Sequence, residues 1–299
     1  MRTTKRFTPT VLARFAREGR GTGTYTDYLP WHRVSRGDPS SIGRSHLINW
    51  HDRLREVLSD IEADVFRFAT ALGSQIVDIR EQYKLSLDPA AHELRAYDVR
   101  ISDELFKGTL AIAKEMGIKH PATNGGGATC DWIMTTDLLI TLRNPDGSYR
   151  LLAIADKPKQ KLKRRSASLL AVERAYWQAR GVQWLLITPN DYEEAVALTM
   201  RRIAPWALGE PVTRADLKVA IEIGKASTGY SQTRVLEDIG ALIGTDNDRH
   251  MRSLWQAVWY GLLPIDLRRG WRPHVPLKHI SLAEFETQNP VLSRRSAWI

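Results

Sequence analysis

Cys130 is the only cysteine among 299 residues. This excludes an intrachain disulfide framework and a thiolate-rich zinc site within one chain. No apolar run approaches the roughly 18 residues that a bilayer-spanning helix requires. No apolar stretch follows Met1-Arg2-Thr3-Thr4-Lys5-Arg6 to act as a secretion signal. These absences lead to the expectation of a cytoplasmic protein with no membrane partner. Acidic side chains are in deficit, 34 against 43 basic ones, for a formal charge of +9. That excess favours polyanionic partners, nucleic acid first among them. The chain is 43% hydrophobic and 26% charged, so it is expected to bury a core rather than remain disordered. Its length allows two domains of ordinary size.

The chain reads in blocks. Residues 1–52 form a basic arm in which Arg17, Arg20, Arg33, Arg36 and Arg44 stand among glycines that let backbone approach a phosphate. Apolar residues from Leu54 to Leu72 recur at three- and four-residue steps, which predicts an amphipathic helix with Glu62 beside its stripe. Ile76 to Ile79 reads as a short strand followed directly by Arg80-Glu81-Gln82. Residues 89–100 read as an irregular excursion, Asp103 to Met116 as a helix ended by Gly117, and Asn124-Gly125-Gly126-Gly127 as a flexible loop. Trp132 to Arg143 and Tyr149 to Lys157 are expected to form an antiparallel hairpin, joined by the turn Asn144-Pro145-Asp146-Gly147. A basic run from Lys157 to Arg165 leads into a helix stopping at Gly181. Val182 to Ile187 reads as a buried strand, and Asn190 as the cap of a helix reaching Ala204. This order implies a mixed α/β sheet flanked by helices, spanning 53–205. Beyond a linker at 205–211, helical patterns cover Thr213–Ile223, Ser231–Ile243 and Asp248–Tyr260. With a small β wing expected within 262–276, they suggest a winged-helix-like DNA- or partner-binding domain over 206–280. Residues 281–299 read as a tail.

Three side chains carry the candidate chemistry. Glu62 offers a carboxylate on a helix, Asp137 one inside an otherwise apolar strand, and Lys157 an amine ending the next strand. Two acids and a lysine converging at a sheet edge suit a divalent cation and phosphodiester hydrolysis. Mg²⁺ prefers one or two carboxylates and several waters, so a sparse set is chemically sufficient. By two-residue alternation Asp137 shares a face with Thr135 and Leu139, and Lys157 with Ala155 and Ala153. Asp156 is therefore expected to point away from the site.

The sequence resembles the TnsA family, endonuclease subunits of heteromeric cut-and-paste DNA transposases. The resemblance rests on Asp27-Tyr28-Leu29-Pro30-Trp31, Gly43-Arg44-Ser45-His46, Leu58-Ser59-Asp60-Ile61-Glu62, Arg80-Glu81-Gln82, Met134-Thr135-Thr136-Asp137, Lys157-Pro158 and Glu173-Arg174-Ala175-Tyr176-Trp177, in family order. It implies a restriction-endonuclease-like domain with Glu62, Asp137 and Lys157 as the catalytic acid, acid and lysine. It implies Mg²⁺, with Mn²⁺ as a substitute, held by Glu62, Asp137 and the backbone carbonyl of Ala155, which stands where the family commonly has a polar residue. It further implies cleavage of the 5′ ends of a transposable element, alongside a DDE-type transposase and an AAA+ ATPase regulator. The substrate would be double-stranded DNA at the transposon ends. Arg20, Arg44, Lys159, Lys161, Lys163, Arg164 and Arg165 are the expected DNA contacts. The competing readings are a non-cleaving DNA- or partner-binding adaptor on a nuclease-like fold, and an autonomous restriction or repair nuclease.

Overall fold

Alternating apolar residues on either side of Asn144-Pro145-Asp146-Gly147 build the expected antiparallel hairpin. In the computed structural model, which describes residues 7–35, 44–158, 163–244 and 246–298, this hairpin is the centre of the first of two units. That unit comprises Met1–Ala63, Ser74–Thr188 and Trp298–Ile299. In chain order its elements are α1 (Pro9–Arg17), β1 (His46–Trp50), β2 (Arg53–Val57), the first turn of α2 (Asp60–Thr70), β3 (Ile76–Lys84) and β4 (Ala90–Ala91). They continue with β5 (Leu105–Phe106), α3 (Thr109–Glu115), β6 (Ala122–Gly125), β7 (Ala128–Asp131), β8 (Thr135–Arg143), β9 (Tyr149–Asp156), α4 (Arg164–Ala179) and β10 (Gln183–Ile187). The main sheet has the order β10-β9-β8-β3, with β9–β10 parallel and both other pairs antiparallel. The expected mixed α/β sheet is therefore present.

On one face of that sheet Leu139, Leu151, Ala153, Ala155, Trp184 and Leu186 pack with Leu170, Tyr176 and Trp177 of α4 in a buried cluster. Burial of this apolar area, at about 25 cal/mol per Å², is the main force holding α4 on the sheet.

Several local expectations are corrected. Residues 54–57 are not helical. Arg53–Val57 pairs in register with β1, from His46↔Val57 to Trp50↔Arg53, and the helix begins only at Asp60. Buried ion pairing selects the strand: Arg53 donates to both carboxylate oxygens of Glu81, each at 2.6 Å, and Arg55 to the carbonyl of Ile79 at 2.6 Å. The short strand expected at 76–79 runs on through Arg80-Glu81-Gln82 to Lys84. The glycine-rich loop is a hairpin: β6 and β7 pair across Gly126-Gly127, whose φ values of +59° and +78° meet a demand that side-chain-free residues satisfy without strain. Within the expected helix at 103–116, Leu105–Phe106 pairs with β4 and α3 starts at Thr109.

The second unit comprises Asp64–Gly73 and Pro189–Ala297, so residues 189–205 group here rather than with the sheet. It contains the rest of α2, then α5 (Glu194–Ala207), α6 (Arg214–Ala226), α7 (Gln232–Ile243), α8 (Asn247–Trp259) and α9 (Leu282–Gln288). The three expected helices after residue 212 are present, two of them capped by Thr213 and Ser231. Asn190 does not cap α5, which starts after Glu193. The helix also runs through Pro205 to Ala207, so the linker is shorter than expected. The tail is partly helical: Ser281 and Glu284 form a reciprocal capping box, and Phe285 and Val291 are buried. In the region expected to form a wing, the described residues hold no strand, only a 3-10 turn at Leu267–Arg269 and isolated bridges of Ile265 with His279 and of Pro276 with Ser231. No described helix is long and apolar enough to cross a membrane.

Candidate metal centre

Glu62 owes its place to the start of α2. The Ser59 hydroxyl accepts the Glu62 N–H at 3.1 Å, and the Glu62 carboxylate accepts the Leu58 N–H at 2.7 Å. This is a shifted form of the reciprocal helix cap. Upstream, the N–H of Glu56 donates to Glu81 at 3.1 Å, so the Arg53–Glu81 pairing ties β2 to β3 a few residues before α2 begins. The helix start is thus anchored to the strand that carries Gln82.

Asp137 sits on β8 where strand alternation slips. Met134 and Leu139 both belong to the cluster around α4, and the Thr136 hydroxyl donates to Glu173 of α4 at 2.8 Å. A regular strand cannot turn residues 134, 136 and 139 to one side. No residue is inserted, because the β3–β8 register is the same before and after Asp137. The compensation lies opposite it in β3, where Gln82 adopts a left-handed φ of +48°. A buried, non-glycine residue in that region stores backbone strain of the kind found at functional sites.

The slip determines what meets what. One carboxylate oxygen from each of Glu62, Asp137 and Asp156 lies within 4.8 Å of the others. The Asp137 carboxylate accepts the Asp156 N–H at 2.8 Å and the Lys157 amine at 2.9 Å on one oxygen, and the Gln82 amide at 3.2 Å on the other. Alternation had turned Asp156 away from the acids, and that expectation is overturned. Ala155 packs into the cluster against α4, so its neighbour Asp156 faces the opposite side, where Glu62 stands and towards which the Asp137 carboxylate turns.

The electrostatics are those of crowded, buried acids. Burial, reinforced by the charge of Asp137, pushes Glu62 up to about 8, against the opposing Leu58 N–H bond. Burial, then Asp137 and Glu62, raise Asp156 well above the carboxylate range. Burial alone would depress the Lys157 amine, but Asp137, Asp156 and Glu173 outweigh it and hold the group protonated. Burial and Asp137 also push Glu173 up to about 7. Its carboxylate accepts from Thr136 and, at 3.1 Å, from the Trp184 indole.

An all-oxygen donor set with an excess of negative charge suits a hard divalent cation. The second carboxylate oxygen of Asp156 is buried and has no hydrogen-bond partner, the kind of orphaned acceptor that a cation satisfies. The residues present therefore fit a divalent metal.

Residues 73–189 match the family model described as TnsA-like endonuclease N terminal. The chain is 34% identical over 193 residues to the transposon Tn7 transposition protein TnsA of Escherichia coli. Over the matched region the chain is TnsA-like. The matched region covers 64% of the chain and about 60% of the length of that relative.

The TnsA-like chain distributes its other expected site residues unevenly. Arg44, Lys163, Arg164 and Arg165 are exposed, whereas Arg36, Lys159 and Lys161 lie outside the described residues. Arg20 is not a surface cation: it is 6% exposed, donates to Glu18, and stacks 3.8 Å from the centre of the Phe15 ring. Packing in the N-terminal unit claims it, which removes it from the expected DNA contacts. Sequence reasoning turned Asp156 away from the cluster it belongs to, and missed two residues around it, Gln82 and Glu173. Gln82 and Glu173 lie in stretches that carried the family resemblance, but nothing in their local sequence marks them as neighbours of Asp137.

Proposed function

We propose that this protein is a divalent-metal-dependent DNA endonuclease that cleaves the 5′ ends of a transposable element. The reading is supported above all by the meeting of Glu62 and Asp137 beside the Lys157 amine, 2.9 Å from Asp137, in a domain of the TnsA-like endonuclease family. Glu62 and Asp137 hold the cation, Mg²⁺ or Mn²⁺. When bound, such a cation lowers the pKa of coordinated water and neutralises charge on a phosphodiester. Lys157, kept protonated by the surrounding acids, presents a fixed positive charge and a hydrogen-bond donor to the phosphate. Gln82 orients Asp137 through its amide and is itself braced by the Thr135 hydroxyl at 3.2 Å. Exposed Arg44, Lys163, Arg164 and Arg165 supply sequence-independent contacts to the DNA backbone.

The E. coli relative is named a transposition protein of a transposon. On that likeness this chain works with a DDE-type transposase and an AAA+ ATPase regulator, its α6–α8 helices serving as a helical docking module. A non-cleaving adaptor has no need to keep two acids and a lysine assembled in a buried site. The test is strand-specific nicking of an end-containing duplex with Mg²⁺ and the partner subunits. Asp137→Ala should abolish 5′-strand nicking and leave partner binding intact. Unchanged nicking would overturn the assigned site, and cutting without partners would favour an autonomous nuclease.

A further inference from the structure

Most of the buried carboxylates of the first unit accept hydrogen bonds, and Glu93, which also has one unbonded oxygen, accepts from Tyr176 and Arg180 on the other. Glu81 takes both Arg53 bonds and the Glu56 N–H, Asp78 takes the Tyr25 N–H and the Tyr97 hydroxyl, and Glu173 takes Thr136 and Trp184. Asp137 is bonded by Gln82, the Asp156 N–H and Lys157. Asp156 differs. It is 3% exposed, yet one carboxylate oxygen has no donor at all. Lys157, its chain neighbour, directs its amine to the Asp137 carboxylate and to the main-chain carbonyl of Asp156, not to the Asp156 side chain. Burying a carboxylate oxygen without a donor or counter-ion is strongly unfavourable. It becomes favourable if the missing partner is a cation.

We propose that Asp156 is the third carboxylate ligand of the divalent cation, closing the site with Glu62 and Asp137. The inference rests on the endonuclease reading and adds a side-chain ligand to it. The Ala155 side chain is buried in the cluster against α4 and has no ligand atom, so at this end of β9 a side-chain ligand has to come from Asp156. Charge supports the assignment: three carboxylates are balanced by one dication together with the Lys157 ammonium. The three ligand oxygens, within 4.8 Å of one another, are close enough to converge on one ion with small side-chain adjustment.

The test is Mn²⁺ binding by the full-length chain without DNA, followed by the electron paramagnetic resonance signal of free Mn²⁺. Asp156→Asn keeps the shape and removes the charge, and should weaken binding at least about tenfold. Binding within about twofold of wild type would overturn the proposal while leaving the nuclease reading in place. If the wild-type chain takes up no Mn²⁺, the metal-dependent reading fails first, and this inference with it. Thermal melting in chelator checks that the variant is folded, and Asp156→Ser repeats the comparison if the amide does not fold. In a Mn²⁺-soaked crystal the anomalous peak should touch the Asp156 carboxylate. A peak on Glu62 and Asp137 alone would refute the third ligand.

Discussion

Glu173 offers a test of the site's electrostatics that does not depend on cleavage. It is 4% exposed and accepts hydrogen bonds from Thr136 and Trp184, with Trp177 in turn donating to the Thr136 hydroxyl at 2.7 Å. Burial, then the charge of Asp137, raises its pKa from the ordinary 4.5 to about 7. The folded state therefore favours the protonated acid. Its contribution to stability is complete below about pH 4.5, declines as pH rises, and is gone above about pH 7. At about 1.4 kcal/mol per pH unit, the 4.5-to-7 interval corresponds to about 3 kcal/mol. Glu173→Gln removes the ionisation, and its amide oxygen can still accept both hydrogen bonds. Urea unfolding in chelator should show the variant close to wild type near pH 5 and more stable by up to about 3 kcal/mol at pH 8. The difference between the two curves reports Glu173 together with its coupling to Asp156 and Lys157. Parallel curves from pH 5 to 8 would refute the claim that this acid is buried uncompensated beside Asp137.

The strand geometry makes two further predictions. Ala155→Gln forces a long polar side chain into the cluster against α4, and should cost about 1–3 kcal/mol in urea unfolding without tightening Mn²⁺ binding; a stable variant with tighter binding would refute the placement of residue 155. Gln82→Gly relieves the left-handed backbone at +48° but removes the amide that holds Asp137. Its stability should stay within about 1 kcal/mol of wild type while 5′ nicking falls about tenfold or more. Wild-type nicking would show that Gln82 has no positioning role.

Legibility in the sequence followed locality. The β8–β9 hairpin could be read because alternation and the Asn-Pro-Asp-Gly turn are both short-range signals. The capping box at Ser281 and the Gly126-Gly127 hairpin turn are equally local signals, but short ones, and in the sequence alone they read as tail and loop. Residues 54–57 were a different matter. Leu54, Leu58 and Ile61 satisfy a helical period, but residues 53–57 pair with β1 instead, and the pairing of Arg53 with Glu81, 28 residues away, fastens that strand to β3. Arg20 could not be distinguished from a surface cation until Phe15 was seen beneath its guanidinium.

The sequence by itself determined that an acid in one strand and a lysine ending the next lie close across a hairpin, because hairpin register follows from the turn. It also determined a mixed α/β sheet and a basic, nucleic-acid-compatible chain. Only the tertiary structure decided which acids meet. The alternation of β8 slips at Asp137 because Gln82, on the neighbouring strand, takes a left-handed turn of the backbone. That slip swings the Asp137 carboxylate towards Glu62 and Asp156, leaving Ala155 in the core. Backbone conformation on one strand set the chemistry of another, and no window of local sequence contains that information.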